Sequence, residues 1–232
     1  MIILQERKNT MNQEMTTDAA VDKSRIRRWL FNPFQFIAGG KALLIGTVII
    51  VLTSLFGSLS DTHFDGVLDV HTGLVVPTWI FVAEGLIDWL SLAFVLAVFG
   101  LLFRGLSFRI IDVFGTQALA RWPHIITAAV TLAPGYQRYT AYIASEIFQT
   151  GDNVTVYDTD VFFFGLAVIV LICVTIWMVA LMYRAYAVSC NLKGGRAIGS
   201  FIAGLIIAEV LSKLGIILLL QNYNLWLDGW FR

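Results

Sequence analysis

Residues 61–73, with the sequence DTHFDGVLDVHTG, combine histidines and aspartates on one short polar segment. Its candidate metal ligands all stand at odd-numbered positions: His63, Asp65, Asp69 and His71. In an extended chain alternate side chains share a face, so these groups would project together. Imidazole and carboxylate groups bind zinc and other first-row metals, which makes a divalent metal site one interpretation of the segment.

Geometry limits that interpretation, because a fully extended segment would hold His63 and His71 more than about 25 Å apart. A metal site therefore requires the chain to reverse at Gly66. The alternative is an acidic outer loop whose apolar side chains dip into a membrane interface: Phe64, Leu68 and Val70. We expect no cofactor, with a divalent metal in this loop as the alternative.

A second set of ionisable residues lies inside apolar segments, where such groups are costly and are candidates for function. The set has four members: Glu84, Asp88, Glu209 and Lys213. Within each pair the spacing is four residues, so each pair shares one helix face. A contact of Lys213 with Glu84 or Asp88 would offset the burial cost. Three interpretations stay open: a structural clamp, a proton or cation pathway, and side chains that face water.

The elements that position these residues are long and apolar. The chain has 232 residues, of which 58% are hydrophobic and 14% charged, with a mean hydropathy of +0.77. These values indicate an integral membrane protein rather than a soluble domain. Five runs are near or above the roughly 20 residues that a helix needs to cross about 30 Å of hydrocarbon, the third being the weakest. They cover residues 42–59, 76–103, 118–134, 161–187 and 198–221.

Charged residues alternate between the connecting segments. Lysine and arginine concentrate before the first run, between the second and third, and between the fourth and fifth, whereas aspartates dominate the other connections. The positive-inside rule then places the N-terminus in the cytoplasm and the C-terminus outside. We expect residues 1–24 to be a disordered polar cytoplasmic tail, followed by one membrane domain over residues 25–232. The net charge of zero indicates no nucleic-acid partner.

Three segments, FNPFQF, RGLSFRIIDVFGTQALARWPHII and NLKGGRAIGSFIAG, give the chain a family resemblance. Together they resemble the Yip domain family, especially its bacterial members. The matching cytosolic positions are Gly105, Ser107, Phe108, Arg109, Pro123, Gly195 and Arg196. The resemblance implies an all-α bundle of five spans with a cytosolic N-terminus, located in a bacterial inner membrane. Eukaryotic members are linked to Rab-type GTPases and vesicle traffic, while the role of bacterial members is undefined.

Catalytic motifs are missing from the sequence: it contains no phosphate-cradling glycine loop, no His-Glu-x-x-His helix and no Gly-x-Ser-x-Gly elbow. We therefore expect a non-enzymatic scaffold or partner-binding protein, with the lipid bilayer and a protein partner in the membrane or on its cytosolic face. Small residues in AIGSFIAG are typical of close helix packing, either within the chain or between the two chains of a homodimer. The main alternative is a small proton or cation transporter that uses the intramembrane ionisable residues.

Overall fold

A computed structural model describes residues 28–73, 75–104, 108–148 and 154–230. The expected tail at residues 1–24 and the motif residues Gly105 and Ser107 lie outside these ranges. The described chain is predominantly helical and forms one bundle with a small hairpin at one end.

Seven α-helices and one two-stranded hairpin follow a short 3₁₀ turn at Pro33–Gln35 within the described ranges. In chain order they are α1 (Gly39–Ser58), β1 (Thr62–His63), β2 (His71–Thr72), α2 (Thr78–Arg104), α3 (Ile110–Ala120), α4 (His124–Thr131), α5 (Pro134–Phe148), α6 (Asp158–Ser189) and α7 (Gly194–Trp230).

Four of the described helices are long and apolar enough to cross a membrane: Gly39–Ser58, Thr78–Phe103, Asp158–Ser189 and Gly194–Tyr223. They correspond to the first, second, fourth and fifth apolar runs of the sequence. The prediction of a helical, multi-pass membrane protein is therefore confirmed. Their lipid-facing sides carry exposed large apolar side chains, as expected where hydrocarbon replaces water as the solvent.

The third apolar run, residues 118–134, is not one continuous helix. Helices α3 and α4 meet at a break over residues 121–123, because Pro123 has no backbone N–H to donate. Through the break the backbone forms tighter bonds of the 3₁₀ type, for example from the N–H of His124 to the carbonyl of Arg121. The chain then begins α5 at Pro134, immediately after α4.

Despite this break, α3 and α4 together run parallel to α1 along its whole length. At one end Gly39 faces the Asp112 side chain, and midway Gly46 lies directly against the backbone of Leu119. At the other end the hydroxyl oxygens of Ser60 and Thr131 lie 3.2 Å apart. The broken segment therefore extends as far through the bundle as α1 does.

The remaining long helices pack antiparallel to their neighbours. The indole Nε1 of Trp89 in α2 donates to the Phe114 carbonyl in α3, and the Gln117 amide donates to the Met182 carbonyl in α6, both at 2.9 Å. The hairpin lies at the end of the bundle where α1 terminates, called here the hairpin end. The opposite end holds the first residues of α1, α3 and α7.

Candidate functional site

The hairpin reverses the chain and brings its two histidines together. β1 and β2 pair antiparallel, with Thr62 opposite Thr72 and His63 opposite His71. The two imidazole rings stack with centroids 5.2 Å apart and planes 14° apart. The reversal that a metal site would require therefore occurs.

The candidate metal ligands nevertheless bind separate partners. Nδ1 of His63 lies 2.9 Å from a carboxylate oxygen of Glu84, whereas Nδ1 of His71 lies 2.9 Å from Asp65. Asp69 accepts a hydrogen bond from the Lys213 ammonium. Stacked imidazoles present parallel rings rather than converging lone pairs. Among the described residues, no group of three or more His, Cys, Asp and Glu side chains is arranged to hold a metal ion.

Part of the hairpin loop is buried in the bundle, whereas Asp69 and His71 stay partly exposed at its surface. Phe64 and Val67 are almost fully enclosed, and the Phe64 ring stacks on His124 of α4 at a centroid distance of 4.8 Å. The interpretation of Phe64 as an interfacial side chain is therefore wrong. The physical reason is the strand pairing, which turns the chain inward between the helix ends and lets its apolar residues join the core.

Helix α7 anchors the tip of the loop through Glu209. Its Oε2 accepts a hydrogen bond from the backbone N–H of Leu68 at 3.1 Å. A Cβ atom at Gly66 would contact Oε1 of Glu209, so a larger residue at this position would push the Glu209 carboxylate away from the loop. Glu209 of α7 thus contacts the loop at both Gly66 and Leu68.

The expected contact of Lys213 with Glu84 or Asp88 does not form, which corrects the sequence interpretation. The Lys213 Nζ instead lies 2.5 Å from Asp69 and 3.8 Å from Glu209. The inserted hairpin explains why the expected contact does not form. Its Asp69 binds Lys213, and its His63 is hydrogen-bonded to Glu84. The four predicted intramembrane residues therefore belong to two separate clusters.

One cluster lies inside the bundle, where Glu84 and Asp88 of α2 face the broken helix. Asp88 is fully buried, and neither of its carboxylate oxygens has a hydrogen-bond partner among the described residues. The positive charge of Arg121 acts on Asp88, and Arg121 is itself only 3% exposed. Among the described residues Arg121 forms no ion pair with Asp88, and its Nε and Nη2 have no hydrogen-bond partner. The buried positive charge that acts on Asp88 is nevertheless that of Arg121 and not that of Lys213.

Gln117, Arg121 and His124 share one face of the broken helix, at spacings of four and three residues. All three are buried. The sequence analysis missed Arg121 and Gln117 as site residues, although a charged and an amide side chain within an apolar run were the available signal. His124 lies in the interior, where Phe64 of the hairpin loop stacks on it.

A small cavity separates the helix break from α1 and α2. Its volume is about 10 Å³, and its lining includes Thr53, Ser54, Gly85, Arg121 and His124. That size accommodates about one water molecule, and the polar lining supplies the several partners that a buried water needs. The interior cluster is thus polar and roomy enough to be hydrated.

Polar contacts continue from the cluster toward the opposite end of the bundle. One helical turn from Arg121, the Gln117 side chain donates to the Met182 carbonyl. The adjacent Thr116 hydroxyl lies 2.8 Å from the Ser189 hydroxyl, which in turn donates to the Asp112 carbonyl at 3.3 Å. Buried polar groups therefore occur at successive levels of the bundle.

The described members of the family motif other than Pro123 lie at the opposite end. Arg109 precedes α3 and reaches the Asp112 carboxylate at 4.0 Å, while Phe108 packs against Gly100 of α2. Gly195 and Arg196 form the exposed first turn of α7, and Pro123 lies at the helix break. These residues shape one surface and one bend rather than a single site.

No family model matches this chain, and no curated protein or solved structure is significantly similar to it. Its function is therefore inferred from the buried side chains and their geometry.

Proposed function

We propose that this protein is a small membrane transporter or channel that moves protons through its bundle. The observation that carries the proposal is the interior cluster, in which two carboxylic acids on α2 face a buried arginine and histidine on a broken helix. Ionisable groups at membrane depth are costly, and where they persist they commonly form proton relays. A purely apolar core would have packed these helices without that cost.

The entrance of the proposed pathway is the histidine pair. The His71 side chain is 46% exposed at the hairpin end, whereas His63, stacked on it, is 1% exposed. An imidazole has two nitrogens, so it can receive a proton on one and release one from the other. Because the stacked rings do not point their nitrogens at each other, a water molecule at the hairpin end carries the proton from His71 to His63. A proton at Nδ1 of His63 is within hydrogen-bond distance of Glu84.

Beyond Glu84, the next titratable group is Asp88, one turn further along the same helix face. The positive charge of Arg121 acts on Asp88, so when Asp88 releases its proton the carboxylate and the guanidinium together carry no net charge, and the buried carboxylate is not left uncompensated. The small cavity beside Arg121 and His124 accommodates a water molecule that can carry the proton onward. From there Gln117, Thr116 and Ser189 provide polar groups toward the opposite end.

The proposal includes five membrane crossings, with α3 and α4 forming the third as a bent segment. Its parallel course along α1 supports this count, as does the distribution of lysine and arginine. The N-terminus is then cytoplasmic, the hairpin end faces outside, and the membrane is the inner membrane of a bacterium. Bent or broken helices line pathways in known transporter folds. Membership of the Yip domain family is part of the same proposal.

Reconstitution into liposomes tests this function. The purified protein should dissipate an imposed pH gradient, followed with an entrapped pH-sensitive dye, in proportion to the protein added. Asp88→Asn and Glu84→Gln should each reduce the flux at least tenfold, because an amide cannot take up and release the proton. Glu146→Gln, on the exposed face of α5, is the matched control and should retain the wild-type rate.

Protein that elutes as a folded species and shows no flux would contradict proton transport. It would favour instead the scaffold or partner-binding role that the absence of catalytic motifs first suggested. Equal flux in wild type and Asp88→Asn would contradict the assigned pathway.

A further inference from the structure

An apolar groove of about 410 Å³ opens on the side of the bundle beneath the hairpin. Three parts of the chain form it: the hairpin loop, α5 and α6. Its lining includes Leu68, Val70, Tyr136, Phe164, Leu171 and Thr175. It is separate from the interior cluster and is not used by the proposed proton pathway.

The groove exists because other helices bury little of the α6 surface in this half of the bundle. In its most apolar stretch only 17% of residues are buried, against 44% for α2. The ring contacts of α6 with α7, from Tyr183 and Tyr186 to Phe201, lie near the opposite end. Toward the hairpin end, α7 instead packs on α2, where Gly215 lies against Ile87. The outer half of α6 therefore faces hydrocarbon.

The dimensions of the groove match one lipid chain in one leaflet. On α6 it runs from Phe164 to Ile176, which is about 18 Å at the helical rise of 1.5 Å per residue. Half of the hydrocarbon core is about 15 Å thick. An acyl chain entering from the hairpin side would thus be covered over most of its length.

The mouth of the groove carries Asp69, which is paired with Lys213, and the Glu209 carboxylate lies 3.8 Å from the same ammonium. Asp69 lines the groove and is bonded to Lys213, and the two side chains are 45% and 42% exposed. A phosphate with a nearby primary ammonium complements this pair, with the phosphate at Lys213 and the ammonium at Asp69. We propose that the groove binds a zwitterionic phospholipid with a primary-amine headgroup, with one acyl chain along α6.

Native mass spectrometry of the detergent-purified full-length protein tests the acyl-chain part. The probe is phosphatidylethanolamine added at increasing concentration. Val168→Trp fills the groove and should lower the bound fraction at least fivefold. Ile169→Trp is the matched control, because Ile169 is the adjacent α6 residue, lies outside the groove and is 60% exposed to lipid. Equal binding to the two variants would overturn the proposal.

The headgroup part is tested with the same assay and phosphatidylglycerol, which has the phosphate without the ammonium. Wild-type protein should prefer phosphatidylethanolamine, and Asp69→Asn should abolish that preference while leaving phosphatidylglycerol binding unchanged. Equal binding of both lipids to wild type would refute the headgroup assignment. Proton flux through Val168→Trp should stay at the wild-type level, so failure of the lipid site and failure of the proposed transport are distinguishable.

Discussion

Removal of the Glu84 carboxylate should destabilise the protein strongly, because this group holds the hairpin inside the bundle. Glu84→Ala deletes the group that contacts Nδ1 of His63 at 2.9 Å, and both side chains are 1% exposed. Breaking a buried pair by removing one partner typically costs about 3–5 kcal/mol. The chemically equivalent pair of His71 and Asp65 has the same 2.9 Å distance but is partly exposed. Its loss through Asp65→Ala should cost at most about 1 kcal/mol.

The free energy of unfolding, measured in detergent micelles for both alanine variants, gives this comparison directly. A double-mutant cycle of His63→Ala and Glu84→Ala isolates the pairwise energy from the cavity that each truncation creates. We expect a coupling of about 1.5–3 kcal/mol, the usual range for hydrogen bonds to charged groups. Equal losses for Glu84→Ala and Asp65→Ala, or a coupling near zero, would refute the idea that the buried pair holds the hairpin in place.

Three further predictions concern packing, pH and topology. Gly46→Val should destabilise the protein by about 1–3 kcal/mol, because the new side chain would clash with the α3 backbone. Gly165→Val, at an open position, is the control and should lower the melting temperature much less. Burial alone would raise the pKa of Asp65, but the hydrogen bond and charge of His71 outweigh burial and hold it below the usual range. Asp65 therefore stabilises the fold above about pH 4, and melting curves should lose this contribution at lower pH in wild type but not in Asp65→Asn. In a cysteine-free background an impermeant maleimide applied outside should label Glu146→Cys but not Lys193→Cys, and the reverse pattern would contradict five crossings with a cytoplasmic N-terminus.

The helices themselves could be predicted from the sequence, because in hydrocarbon every backbone polar group must bond within its own segment and length decides what can span. Four apolar runs are long helices for this reason. The structure of residues 118–134 was harder to predict, because Pro123 breaks the helix while the residues around it remain apolar. Only the packing of α3 and α4 along α1 shows that the two pieces follow one course through the bundle.

The members of the site were predicted better than their partners. The sequence identified Glu84, Asp88, Glu209 and Lys213 as ionisable residues at membrane depth. It paired Lys213 with the acids of α2, because such a contact would offset the cost of burying them. That cost does not determine which helix faces meet, and a loop between the helices was not considered as a competitor for these charges.

The composition and periodicity of the chain by themselves determined a helical membrane protein, the positions of its long helices and the residues that are costly to bury. The tertiary structure decided that residues 61–73 fold back and insert, so that His63 reaches Glu84 and Asp69 reaches Lys213. It also decided that the buried positive charge acting on Asp88 is that of Arg121. These outcomes depend on contacts between segments up to 144 residues apart, which arise from the packing of whole helices and from no local pattern.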